Sequence, residues 1–230
     1  MSCGSLLKKT KRVAVGNRPR QGHELDVPTR LMVHSIIGER TLERALEFIQ
    51  VLKSRTSKKP LFVSDELPHY EHALVNTYST VVVPPRTGKR GRPQGPLRII
   101  DTDLDYATVH KTRSKGRVLK VERTFVLANQ DRIKARLENS DSNTINTSFV
   151  ERLNLTLRMM NAHLGRKSLR FAKSLRWLRA RFSFIDAFYN FVRPHSSLSS
   201  THHPVTPAMA AKITEKPWSM DKLLSYPVPC

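Results

Sequence analysis

Residues 146–166 read NTSFVERLNLTLRMMNAHLGR, and the reading of this stretch decides how the rest of the chain is organised. Phe149, Leu153, Leu157, Met160 and Leu164 recur with a period near 3.6, which predicts a helix with one buried stripe. Glu151 does not belong to that stripe. It lies about 200° round the helix from Phe149 and shares the opposite face with Asn154, Leu155 and Arg158. Asn146 or Thr147 can cap the start. One account makes Glu151 a solvated carboxylate that favours the helix N-terminus. The other starts from its surroundings: between Glu151 and Asp186 the chain carries nine Lys or Arg residues and no acid. A lone carboxylate at the head of such a run suits a metal ion that meets a polyanion there.

The whole chain shares this imbalance. Its 230 residues include 40 Lys or Arg and 19 Asp or Glu, a formal net charge of +21. Charge of that size and spread favours nucleic acid as partner over an acidic metabolite, and its self-repulsion costs compactness. The length suits one main domain with a flanking appendage. Cys3 and Cys230 are the only cysteines, which excludes a disulfide framework and a Cys-rich zinc site. Apolar runs such as Val81–Val83 are too short to cross a membrane, and the Lys-rich start has no apolar segment to make a signal peptide. A cytosolic chain is the expectation.

Working outward in chain order, residues 1–23 read as a basic, poorly ordered tail. Leu25 ends a strand remnant, Asp26-Val27-Pro28-Thr29 has turn chemistry, and Arg30 to Ile37 is rich in β-formers. Thr41 is a good N-cap for a helix over 42–55, with Leu42, Ala45, Phe48, Ile49 and Leu52 at helical spacing. Pro60 to Ser64 makes a short strand ending at Asp65, followed by a helix from Pro68. Strand, helix and strand in that order imply α/β layers. An acid at the C-terminal end of a buried strand points into the crevice where such sheets bind ligands and metals, although Asp65 can equally be a turn or cap residue.

Pro84 to Pro96 cannot be regular structure. Its Arg90-Gly91-Arg92-Pro93 core resembles a minor-groove hook, in which arginines enter the narrow groove of AT-rich DNA; a flexible basic loop is the alternative. Tyr106–Lys111 and Arg117–Val126 predict a hairpin turning at Ser114-Lys115-Gly116. A short helix over 130–137 and a polar linker then lead to the Glu151 helix. A long helix carries Leu175, Leu178, Phe182, Ile185, Tyr189 and Val192 in one stripe, flanked by Arg176, Arg179 and Arg181, and ends before Arg193. His195 is a ligand, a base or a capping hydrogen-bond partner. Trp218 is expected to pack back on the core. In domain terms these readings give a tail over 1–23, a core over 24–200 with an insertion over 84–128, and a C-terminal tail over 201–230.

Several of these segments together resemble transposases of the insertion sequence 1 type. The matching stretches are Gly38-Glu39-Arg40-Thr41, Phe62-Val63-Ser64-Asp65 with Tyr70, and Phe149-Val150-Glu151-Arg152 continuing to Asn154-Leu155-Thr156-Leu157-Arg158. Gly165-Arg166-Lys167-Ser168-Leu169, Tyr189-Asn190, Arg193-Pro194-His195 and Thr206-Pro207-Ala208 follow in the family's order. The resemblance implies a ribonuclease-H-like α/β fold, a mixed sheet with flanking helices, an inserted hairpin and basic C-terminal helices. It implies DDE chemistry, in which three carboxylates hold two Mg²⁺ (or Mn²⁺) ions for phosphodiester cleavage and strand transfer at the ends of an element. Asp65 matches the family's second Asp and Glu151 its Glu, as catalytic residues and metal ligands.

The first Asp of the family lies on a strand that is mostly absent here. Asp26 is the remaining candidate, although a turn explains it. Arg90, Arg92, Arg152, Arg158, Arg166, Lys167 and Lys173 are the expected contacts to double-stranded DNA, whether transposon end or target. The zinc and helix-turn-helix regions of full-length relatives are also missing, so the chain reads as the C-terminal part of a transposase. Met1-Ser2-Cys3-Gly4 is what a one-base-shifted reading of codons for Asp-Glu-Leu-Trp gives, which would make the tail the first strand read out of frame. The expectation is a transposase that is inactive if that strand is lost; the alternative is a non-catalytic DNA-binding regulator. Either form is expected to assemble with its own copies or with a full-length transposase.

Overall fold

The computed structural model describes residues 20–39, 41–65, 67–85, 95–127, 129–138, 144–165, 170, 172–201 and 203–227. Strands β1 (Arg20–Leu25) and β2 (Met32–Gly38) form an antiparallel pair. The described residues begin inside the segment read as a tail, and of these Arg20 to His23 belong to a strand. The turn between the two strands is held by Asp26, whose carboxylate accepts the Thr29 hydroxyl and amide while its own N–H donates to Leu31 O at 2.8 Å.

Helix α1 (Leu42–Arg55) follows from its sequence directly. The Thr41 side chain accepts from Arg44 N–H at 3.4 Å, and Ala45, Phe48, Ile49 and Leu52 bury one face. Strand β3 (Leu61–Ser64) runs into α2 (Pro68–Thr77), where Pro68 occupies the first helical turn and needs no amide partner. Strands β4 (Ser79–Val82) and β5 (Leu97–Ile100) pair antiparallel across the Pro-rich loop. Strands β6 (Asp105–Ser114) and β7 (Arg117–Leu127) make the expected hairpin. Lys115 and Gly116 stand at φ 47° and 81°, the two positive values a two-residue I′ turn requires.

That hairpin is more than an insertion, because Asp105 to Thr108 of β6 pair in parallel with Leu61 to Ser64 of β3. Helix α3 (Gln130–Glu138) is fastened beneath by the fully buried Asp105, which accepts Arg132 Nε at 2.8 Å and Nη2 at 2.6 Å. Helix α4 (Ser148–Met160) and α5 (Leu175–Ala187) pack on the β1–β2 pair through Leu153, Leu157, Leu178, Phe182 and Ile185. A π-helical turn, Phe188–Val192, continues α5, and its buried Asn190 bonds both backbone groups of Met32, at 3.0 and 2.9 Å. Short helices α6 (Pro207–Ala210) and α7 (Met220–Ser225) follow, with the Trp218 ring tilted against Phe191 at 4.5 Å between centroids.

The result is a mixed α/β architecture with sheets of both strand orientations and helices against them. The sheet is not one ladder. Among the described residues β1–β2, β3–β6–β7 and β4–β5 are separate. Two cavities, of ≈ 240 and ≈ 290 Å³, are each lined by Leu25 and Val27 on one side and by Leu61, Phe62 and Val63 on the other. An edge of each main sheet therefore faces the other across a space that no described strand fills.

Candidate functional site

One of these cavities, the ≈ 240 Å³ cleft, gathers two of the acids singled out in the sequence. Asp65 reaches it from the C-terminal end of β3, and Glu151 from the first turn of α4. The parallel β3–β6 pairing and the burial of Phe62 and Tyr106 set the floor, where Tyr106 Oη and Ser64 Oγ lie 2.8 Å apart. Burial raises the Tyr106 phenol above its ordinary pKa.

Helix α4 takes the predicted stripe. Leu153 and Leu157 are buried, with Phe149, Met160 and Leu164 packed against the same cluster. It ends earlier than expected, at Met160, because the backbone turns extended at Asn161, whose side chain accepts the His163 N–H. A single 3₁₀ turn, Ala162–Leu164, carries the stripe onward. Glu151 is exposed, as its face predicts, and is engaged. Lys111 Nζ donates to its Oε1 at 2.5 Å, Thr147 Oγ1 donates to the same oxygen at 3.0 Å, and Arg113 stands 3.9 Å from Oε2. Partial burial opposes the ionised form, but those partners prevail and hold the Glu151 carboxyl below its ordinary pKa.

Asp26 does not line this cleft. It borders the neighbouring cavity and is occupied by its turn, so the catalytic role weighed for it yields to the turn role. The acid that does share the cleft with Asp65 and Glu151 is Glu24, which sequence reasoning passed over. Burial, with the Asp26 charge adding, pushes its carboxyl up to about 7. Beside it His23 stacks on Phe182 at 5.8 Å, and burial followed by the Arg158 charge lowers it to about 4. Arg158 is therefore half-buried towards β1 instead of wholly outward with Glu151. Among the described residues, no three His, Cys, Asp or Glu side chains are grouped closely enough to hold a metal ion together.

Of the expected DNA contacts, Arg152 and Lys173 are exposed, on α4 and just before α5. Arg90, Arg92, Arg166 and Lys167 lie outside the described residues. His195 takes the capping role: its Nδ1 stands 2.9 Å from Ser197 Oγ, and its N–H donates to Val205 O at 2.9 Å. No described helix is long and apolar enough to cross a membrane. Comparison with models of protein families, with curated proteins and with solved structures finds no match to this chain.

Proposed function

We propose that this protein binds DNA as a transposase of the insertion sequence 1 type, and that in the arrangement described it holds DNA without cutting it. The observation that carries the first half is the meeting of Asp65 and Glu151 in one cleft. These are the two acids the resemblance selects, far apart in sequence, and Glu151 stands at the head of the basic run that continues through α4 and α5. Phosphate attraction by that run supplies the affinity, with Arg152 and Lys173 among the contacts.

The second half rests on the state of the carboxylates. Carboxylate oxygens are suitable ligands for Mg²⁺ or Mn²⁺. In the arrangement described, Glu151 is paired with Lys111, and no cluster of three such ligands stands among the described residues. No cleavage step is therefore assigned to them.

A second reading is the cleaving and joining enzyme itself. What favours it is Glu24, a third carboxyl on the wall of the same cleft. Fluorescence anisotropy with duplex DNA across a salt series tests the binding claim. Affinity should fall steeply with salt, Arg152→Gln and Lys173→Gln should each lower the slope by about one, and Asp65→Ala should leave affinity unchanged or slightly raised. Binding that is absent at low salt, or insensitive to salt, refutes it.

A further inference from the structure

Helix α5 carries an exposed aromatic surface that its packing role does not use. Leu178, Phe182 and Ile185 bury one face. Trp177 is 72% exposed and Phe184 40% exposed. Seven residues apart, they stand on one flank of the helix about 10 Å from each other along its axis. Ala180 between them keeps the surface low, and Arg181 lies on the same flank. Arg176 and Arg179 are exposed on the outer side, and the Arg176 guanidinium sits 6.0 Å from the Trp177 ring.

The acid–base balance of this surface is one-sided. The only carboxylate of α5 is Asp186, and it is turned inward, accepting the Ser35 hydroxyl. An apolar ring left in water among arginines suits a ligand that offers a flat π-face and negative charge together. Unpaired nucleotides have both: the base stacks and the phosphate meets the guanidinium. Duplex DNA hides its base faces in its own stack. A second copy presenting this same flank would bring arginines against arginines.

We propose that the Trp177–Phe184 flank of α5 is a binding platform for single-stranded DNA, on which unpaired bases stack while Arg176 and Arg181 contact the adjoining phosphates. The inference rests on the DNA-binding reading above and deepens it, by naming DNA with an unpaired stretch as the preferred substrate class.

The test uses the full chain carrying Trp218→Phe, which leaves Trp177 as the only indole. A short oligothymidine and a duplex of equal length are titrated, without metal, while tryptophan emission and affinity are followed. Oligothymidine should quench the emission. Trp177→Ala, made in the otherwise unchanged chain, should weaken oligothymidine binding by about 10-fold or more, with duplex affinity held within about twofold. Trp177→Phe, which keeps a stacking ring and guards against a folding artefact, should stay close to the parent. Equal quenching by both DNAs, or oligothymidine affinity unmoved by Trp177→Ala, overturns the platform and leaves duplex binding standing. Emission that changes with protein concentration alone overturns it in favour of a contact between copies. Failure to bind either DNA overturns this inference and the DNA-binding reading together.

Discussion

Replacing Glu24 with Gln keeps the size of the side chain and removes a carboxyl whose ionisation the fold opposes. In the folded protein that carboxyl titrates near 7, against an ordinary 4.5, chiefly because it is buried. A raised carboxylate pKa means that the folded state takes up a proton between pH 7 and 4.5 which the unfolded state does not. Glu24 therefore costs stability above pH 7, and the cost is relieved as pH falls through that window. At 1.36 kcal/mol per pKa unit, the gap sets a ceiling of about 3 kcal/mol. The side chain is only partly enclosed, so water screens part of this and about 2 kcal/mol is expected. Glu24→Gln should be more stable than the parent by that amount at pH 8 and indistinguishable from it at pH 4. Urea unfolding of both proteins at the two pH values measures it. Taking the difference cancels groups common to both, including His23, whose lowered pKa acts in the opposite sense. A variant equal to or weaker than the parent at pH 8 refutes the reasoning and means that Glu24 is solvated or paired.

Asp105→Asn should lower stability by about 3 kcal/mol in urea unfolding, since it uncouples two arginines from a fully buried carboxylate that anchors α3. Asn190→Ala should cost about 2 kcal/mol by leaving Met32 N–H and C=O without their partner, and amide exchange at Met32 should speed up with it. Gly116→Val should cost about 1 kcal/mol or more, because valine resists the positive φ that this turn imposes; a thermal melt with no downward shift would contradict it.

The sequence carried those parts of the fold that depend on local pattern. Thr41 and the spacing of Ala45, Phe48, Ile49 and Leu52 define α1 to its last residue, and Lys115-Gly116 locates the hairpin turn. The stripe of α4 likewise puts Glu151 on the open face. What escaped was set by distant parts of the chain. Strand β1 reads RQGHEL, polar and without clean alternation, so that only its end at Leu25 was legible; its reach back to Arg20 depends on the ladder that β2 supplies, and Glu24 escaped notice as a site residue. Ser79 to Val82 finds its partner only beyond the Pro-rich loop. Lys111 meets Glu151 because β6 lies parallel to β3, and no spacing rule foresees that pairing. Asp65, read at the end of its strand, lines the cleft, and Asp26 serves the turn that its neighbours Val27, Pro28 and Thr29 predict.

The two halves of the proposed function meet in one assay: binding, strand cleavage and joining on duplex DNA with Mg²⁺ or Mn²⁺, for the unmodified chain beside Glu151→Ala. The account predicts salt-sensitive complexes with both proteins and no cleaved or joined product from either. Metal-dependent cleavage that Glu151→Ala abolishes would contradict it. The Lys111 pair would then have to open in the working state, and Glu24 or another acid would have to complete the site.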